Sequence, residues 1–580
     1  MVATNYQTLS ACGGTSTSQK LFLPRSYQVA LLLCFLTLLG LTVSEGNVCP
    51  SISSGSLCPS DPSYQSKPFV DGSKMFIGGK IISFDGVSVS ATSPIRDSDT
   101  GDRIVIGKLA QMEESDALQA VAAANIAWDK GQGTWPQMSP EKRIEAIELY
   151  VELLELKRAE IIDVLMWEIC KSTADAAAEF DRTVAFIRAS IAAVRELSST
   201  NWSRVSGITS KVRRLAIGIM LALGPFNYPF NETYATLIPA LLAGNVVIMK
   251  VPTIGGMAHM LTMEAFASAL PPGVINFVSG SGRKTMPPIM RTGDIDILAF
   301  IGGSKTADLL IKEHPEPHRL KVFLQLEGKN LGIVYPDADL EVAVEQIVLG
   351  ATSYNGQRCT AIKLIMVDAI ISEKFMTLLL DRIAQLKVGL PWMEGVTITP
   401  LPESDKPAFL QSLIVDAIEK GAQVVNKDKG GADLDGALFR PAVVYPVTKS
   451  MRLWREEQFG PVIPVAVYHD VTELYEYYKE TPFGQQAAVF TSGGGTSSAL
   501  VEILSTAVGR ININTQCGRS PDSLPFSGRR SSALGTMSVT EAFFAFSVEV
   551  LVAAKSNLIN DNILKEFDHK CQFLEPMKSK

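Results

Sequence analysis

The reactive side chains of this sequence stand where apolar runs end. Cys359 sits in Asn355-Gly-Gln-Arg-Cys-Thr360, between a helical stretch and the apolar run 362–367. Loops held between two ordered elements often carry reactive groups. Arg358 and oriented backbone N–H groups beside a cysteine favour thiolate over thiol, so Cys359 reads as a nucleophile. The alternative for any lone cysteine is a small buried hydrophobe. Cys170, in an expected apolar helix, fits that alternative, and Cys517 is compatible with it. Glu327 ends the run Val322-Phe-Leu-Gln-Leu326. A carboxylate there is expected to be partly desolvated, with a raised pKa that suits a general base. The other reading is a solvated strand-end charge. Asn227, in Gly224-Pro-Phe-Asn-Tyr-Pro229, either donates its amide to an oxyanion or caps the following helix.

These residues need a scaffold. Helical spacing runs over residues 139–159, with Ser139 at the start and Pro140 in the first turn, and helices continue over 159–198. From Arg214 the pattern changes. Residues 215–223, 245–249, 274–278 and 297–301 read as buried strands, and 232–242 and 258–270 as helices. Such alternation implies an α/β fold with a parallel sheet of βαβ units, which binds nucleotides at its C-terminal edge. A full Gly-rich fingerprint is missing, since Gly280-Ser-Gly282 has two glycines of the pattern and reads equally as a tight turn. Asp337 or Asp339 is expected to cap a helix running through Leu349.

With 580 residues, 46% of them hydrophobic, the chain can hold one large or two to three ordinary domains. Its net charge of -7 is spread without a basic stripe, which argues against nucleic-acid binding. No CxxC pair occurs, so neither a zinc ribbon nor a dithiol site is suggested, and no metal is expected. His314-Pro-Glu-Pro-His318 reads as a surface turn. Residues 29–43 are uncharged and apolar, preceded by Lys20 and Arg25. The stretch is short for a membrane span, which needs about 20 residues. A signal-peptide core fits it better. Residues 45–67 are rich in Ser, Pro and Gly. The pair resembles the two-part leaders of plastids derived from algae, so the expected location is the secretory route or a plastid, with the cytoplasm as the alternative.

Taken in order, Gly224-Pro-Phe-Asn-Tyr-Pro229, Lys250-Val-Pro-Thr253, Leu326-Glu-Gly-Lys329, Gly356-Gln-Arg-Cys-Thr360, Glu457-Gln-Phe-Gly-Pro461 and Pro525-Phe-Ser-Gly528 resemble the motif series of the aldehyde dehydrogenase superfamily. The spacing holds over roughly residues 75–560. Within it, Phe-Asn-Tyr-Pro, Gly-Gln-Arg-Cys-Thr and Arg519-Ser-Pro-Asp-Ser-Leu-Pro-Phe look like the non-phosphorylating, NADP-dependent glyceraldehyde-3-phosphate dehydrogenases.

The resemblance implies a Rossmann-type cofactor domain, an α/β catalytic domain and a small oligomerisation arm. Their expected bounds are 67–326, 327–530 and 531–580, after a leader and linker over 1–66. It makes Cys359 the nucleophile, Glu327 the base and Asn227 the oxyanion donor. Gly224, Lys250, Thr253, Gly303, Ser304, Glu457 and Phe459 match cofactor positions. Arg182, Asn227, Tyr228, Arg358, Thr360 and Arg519 match substrate positions, and forked arginines suit a phosphorylated aldehyde. The implied chemistry is thiolate attack, hydride loss to NADP and hydrolysis of a thioester by water that Glu327 activates, with no need for inorganic phosphate. Thr253 stands where NAD-preferring relatives often carry Glu, which favours NADP, although NAD remains an alternative cofactor. A homo-oligomer, dimer or tetramer, is expected. The rival enzyme is another aldehyde or semialdehyde dehydrogenase of the same fold, or an acylating one, against which Glu327 argues. An inactive binding relative would have lost Cys359 or Glu327, and both are present. Two motifs depart from the superfamily's usual forms: Phe300-Ile-Gly-Gly-Ser304 and Leu326-Glu-Gly-Lys329.

Overall fold

A computed structural model describes residues 67–570, except 98–99, 199–201, 428–429 and 433–436. The expected leader lies outside the described residues.

Two sheets organise the chain. The first has the order Ala533–Leu534, Lys321–Gln325, Ile297–Ile301, Ile219–Leu223, Val246–Lys250, Ile275–Val278, Lys74–Ile77, Lys80–Ser83. Its five central strands pair in parallel. Val246, Val247, Ile248 and Met249 are fully buried, as strands covered by helices on both faces must be. Burying each such side chain stabilises the fold by about 1.5–3 kcal/mol. Chain order reverses between Ile219–Leu223 and Ile297–Ile301. The C-terminal ends of these neighbours therefore flank the crevice where α/β sheets take ligands.

Local sequence explains the connections. Helix Pro229–Ala243 opens with proline in its first turn and ends at Gly244, whose φ of 98° suits glycine. Ser139 accepts from the Lys142 N–H to start helix Pro140–Glu155. Asp339, rather than Asp337, caps helix Leu340–Thr352 through the Glu341 and Val342 amides.

Some expected elements are divided. The run 215–223 is two strands, Ile208–Ala216 and Ile219–Leu223. Between them Asn245 Oδ1 takes the N–H groups of Ile217 and Gly218, and Gly218 abuts Asp296 too closely for a Cβ. Residues 258–270 form two short helices, Met257–Met260 and Met263–Ala269, broken where Thr262 bonds back to His259. Cys170 lies in no helix but in the turn after Arg158–Glu168, buried, with a φ of 53°. His314 is buried rather than on a surface turn, and its ring bonds to Ile295 O and the Glu316 N–H.

The second sheet runs Gln423–Val424, Ala442–Tyr445, Val462–Tyr468, Ile362–Asp368, Asn330–Val334, Gln486–Phe490, Arg510–Ile513. Between Gln325, which ends a strand of the first sheet, and Asn330, which opens the first strand of the other, stand only Leu326, Glu327, Gly328 and Lys329. The C-terminal stretch is interleaved with the rest. Ala533–Leu534 pairs with Lys321–Gln325, and Ala542, Phe543 and Phe546 share a core with Phe230 and Leu237. Ser547–Lys555 pairs along its whole length with Ile208–Ala216, which pairs in turn with Ser203–Val205. This three-stranded sheet is thus built from two distant stretches of chain.

Candidate active site

A cavity of about 800 Å³ opens beside Cys359. The sequence gathers its walls by ending strands there. Leu223 ends a strand, and Pro225, Phe226, Asn227 and Tyr228 follow it into the cavity. Ile301 ends another and leads to Gly302 and Gly303. Glu327 and Cys359 face the cavity from the join between the sheets and from the loop before Ile362–Asp368. Ser353–Gly356 delivers that loop through two left-handed residues, Tyr354 and Asn355.

Cys359 is partly exposed. Its carbonyl accepts from Asn330 Nδ2 at 2.8 Å and from Lys363 Nζ at 2.6 Å, which fixes the loop. Burial, and after it the charge of Glu232, push the thiol above its ordinary value. Lys363 and a hydrogen bond with Gln485 pull the other way without overcoming them. This corrects the sequence expectation of a favoured thiolate. The guanidinium of the adjacent Arg358 points instead to the Gly350 carbonyl at 3.0 Å and Gln516 Oε1 at 3.2 Å.

Asn227 is buried, and its Nδ2 donates to Gln357 O at 2.7 Å. The amide is thereby pinned to the Cys359 loop, with a second N–H left to give. Glu327 reaches toward the nucleotide crevice: Oε1 accepts from the Ser304 N–H at 2.8 Å and Ser304 Oγ at 3.2 Å. Its Oε2 is buried and has no hydrogen-bond partner among the described residues. The amides that open helix Ser304–Glu313 attract an anion there. A Cβ on Gly328 would stand 3.1 Å from the Cys359 carbonyl, so the backbone beside Glu327 lies against the Cys359 loop.

Glu457 accepts from the Gly328 N–H at 3.1 Å and pairs with Lys363 at 3.0 Å. Phe459, held at a φ of 47°, meets Phe226 edge-on. Lys250 is buried and donates to the Val251 carbonyl, and burial lowers its pKa to about 8. Its side chain passes Gly282, where a Cβ would stand 4.0 Å away. Thr253 is exposed just beyond.

A profile of the aldehyde dehydrogenase family matches residues 88–550. The chain belongs to that family. The NADP-dependent glyceraldehyde-3-phosphate dehydrogenase of Streptococcus equinus is 33% identical over 462 residues, covering 78% of this chain and 93% of that one. The enzyme of the same name from Pisum sativum is 30% identical, covering 74% and 85%. A crystal structure of NADP-dependent glyceraldehyde-3-phosphate dehydrogenase from Bacillus halodurans, complexed with NADP, superposes with a TM-score of 0.76 at 29% identity, covering 83% of this chain and 99% of that one.

Among the positions that carry the family resemblance, Arg182, Asn227, Tyr228, Gly303, Glu327, Arg358, Cys359, Thr360, Glu457, Phe459 and Arg519 line the cavity together. Gly224, Lys250, Thr253 and Ser304 do not line it. Gly224 is required for packing, since a Cβ there would strike Thr233 of helix Pro229–Ala243. The arginines are also not bare. Arg182 forks onto Asp522 at 2.9 and 2.6 Å, and Arg519 touches both Glu232 and Asp522.

Sequence reasoning missed Lys363, Glu232, Asp522 and the buried pair Lys171–Glu179. Lys363 carried a local signal: a lysine four residues after the cysteine, inside an apolar strand, must find an internal partner. Lys171 and Glu179 pair beneath the site with side chains wholly buried. Glu179 Oε1 accepts the Phe230 and Asn231 amides at 3.0 and 3.1 Å, and Lys171 Nζ lies 3.3 Å from the centre of the Tyr228 ring.

Proposed function

We propose that this enzyme oxidises glyceraldehyde 3-phosphate to 3-phosphoglycerate with NADP, as a homo-oligomer and a step of sugar-phosphate breakdown. The observation that carries the reading is the joint presence, around one cavity, of Cys359, Asn227 and Glu327 with Arg182, Arg358, Arg510 and Arg519. The names of the relatives point the same way.

The chain's residues divide the work. Cys359 gives its proton to solvent water and attacks the aldehyde carbon as thiolate, and the free Asn227 N–H meets the developing oxyanion. When bound, NADP accepts the hydride that leaves this carbon, so a thioester remains on Cys359. Glu327 then leaves Ser304, turns toward Cys359 and takes a proton from water, which hydrolyses the thioester. The resident groups fit a 2′-phosphorylated nucleotide. Lys250 is an ammonium depressed by burial that an added dianion would recharge, and Thr253 sets no carboxylate against it. Residues 1–66 are proposed to be a signal-bearing leader.

The test is absorbance at 340 nm with purified protein, glyceraldehyde 3-phosphate and either cofactor, in phosphate-free buffer. Turnover with NADP above that with NAD is expected. Dependence on added phosphate, or preference for an unphosphorylated aldehyde, would overturn the proposal.

A further inference from the structure

The cations at the substrate end of the cavity differ in what they hold. Arg358 and Arg510 donate to neutral acceptors: Arg358 to Gly350 O and Gln516 Oε1, Arg510 to the Gly518 and Ser520 carbonyls. Arg519 and Arg182 belong instead to a row of alternating sign. Glu232 Oε1 stands 2.5 Å from Arg519 Nη1, Arg519 Nε stands 3.4 Å from Asp522 Oδ1, and Arg182 forks onto Asp522. Two carboxylates and two guanidinium groups leave this row without net charge.

The two carboxylates are not equivalent. Asp522 is shared by two arginines; burial alone would raise its carboxyl, yet those cations hold it below the ordinary value. It is a fixed part of the wall. Glu232 touches Arg519 alone among the ion pairs of the described residues, and it lines the cavity while Asp522 does not. Its backbone is locked in the first turns of helix Pro229–Ala243, so only its side chain can move. Arg519 is buried to 6% exposure, yet both its Nη1 and Nη2 have no hydrogen-bond partner among the described residues. The contact with Glu232 is therefore close in charge but misaligned as a hydrogen bond. A buried fork with unmatched N–H groups is arranged for an acceptor with two oxygens side by side.

We infer that Glu232 is a specificity-determining residue, a displaceable counter-ion that holds Arg519 until the anionic end of the substrate takes its place. The inference rests on the proposed phosphorylated aldehyde as substrate. A phosphate monoester offers a pair of oxygens to the Arg519 fork and drives the Glu232 carboxylate away by like-charge repulsion. An aldehyde without an anionic end leaves Arg519 paired and gains nothing from it. Glu232 thus raises the demand for a true anion, at the expense of affinity for the substrate that has one.

Glu232→Gln keeps the shape of the side chain and removes the competing charge. Its KM for glyceraldehyde 3-phosphate is expected to fall about tenfold, the worth of one charge-assisted contact, while that for unphosphorylated glyceraldehyde moves less than about twofold. In an Arg519→Met background the same substitution is expected to change neither, because nothing remains to compete for. A rise in KM for the phosphorylated substrate would overturn the inference, since it would make Glu232 a support that orients Arg519. Equal changes for both aldehydes would overturn it too. A second readout needs no turnover: protection of Cys359 from iodoacetamide by inorganic phosphate. Because removing the Glu232 charge also eases ionisation of Cys359, protection is taken as each protein's alkylation rate without phosphate divided by its rate with it. A larger ratio in Glu232→Gln than in wild type supports the counter-ion role, and an equal ratio refutes it. If neither protein oxidises glyceraldehyde 3-phosphate, the proposed function fails, and the protection experiment still decides the role of Glu232.

Discussion

Neutralising Glu179 should reach Asn227, the proposed oxyanion donor, from below. The side chains of Glu179 and Lys171 are wholly buried and paired, and Glu179 also receives the first amides of helix Pro229–Ala243. In Glu179→Gln the ammonium of Lys171 is left with the faces of Tyr228 and Tyr354, 3.3 and 4.8 Å from the ring centres. Those faces attract it equally before and after the change, so they offset nothing. Removing one partner of a buried pair costs about 3–5 kcal/mol. The loss has a ceiling, because Lys171 can shed its proton. Burial already pulls its pKa below that of an ordinary lysine against the pull of Glu179, and without Glu179 it falls further. The sign follows. A lysine whose pKa is depressed in the folded state costs nothing above its unfolded value; the penalty grows as pH falls below that unfolded value and levels off once the folded value is passed. The penalty of Glu179→Gln is therefore largest near neutral pH and shrinks as pH rises toward 10. Thermal midpoints at one fixed scan rate, across pH 6 to 10, measure it. Lys171→Met together with Glu179→Gln removes both charges and should recover part of the loss. kcat should drop in the single variant, since Asn227 hangs from the start of this helix. A single variant within about 1 kcal/mol of wild type, or a double variant no better than the single, would refute the reasoning.

Further outcomes are open to direct measurement. Cys359→Ala should abolish dehydrogenase activity while leaving the fold intact, and appreciable turnover by a well-folded variant would remove Cys359 as nucleophile. Alkylation of Cys359 should keep accelerating with pH beyond the range of an ordinary thiol, and Lys363→Met should shift that profile upward, because Lys363 opposes the rise; an unmoved profile would count against it. With Lys250 depressed to about 8, NADP affinity in titrations should fall above that pH more steeply than NAD affinity, as the ammonium is lost; parallel profiles would detach Lys250 from the 2′-phosphate. Thr253→Glu should lower kcat/KM for NADP more than for NAD, and an unchanged ratio would remove Thr253 from cofactor choice.

The sequence made the strand ends legible because chemistry there is written locally. Glu327 and Asn227 each follow an apolar run, Cys359 precedes one, and the structure brings all three to one cavity. Strand Ile297–Ile301 falls where periodicity put it, since an apolar run bounded by Asp296 and Gly302 has little freedom. What stayed hidden depends on partners far along the chain. Arg182 and Asp522 are 340 residues apart, so nothing near Arg182 shows that its charge is already answered. The same distance concealed the resting state of Cys359, because Glu232, which opposes its ionisation, sits on another element. The break within 258–270 was invisible for the opposite reason: Met257–Met260 and Met263–Ala269 share one helical period, and only the Thr262 turn parts them.

Four residues, Leu326 to Lys329, carry the chain from one sheet into the other, and Glu327, the proposed base, is one of them. Lys329 fastens the far end of this joint to Glu456 O and Gln458 Oε1, each at 2.7 Å. The reach of Glu327 is therefore set by length as much as by identity. A single residue inserted here would shift the carboxylate relative to the cavity while leaving every residue of the motif present. For anyone recombining halves of related enzymes, the seam that looks most natural between the two sheets is the one place where a cut takes the catalyst apart.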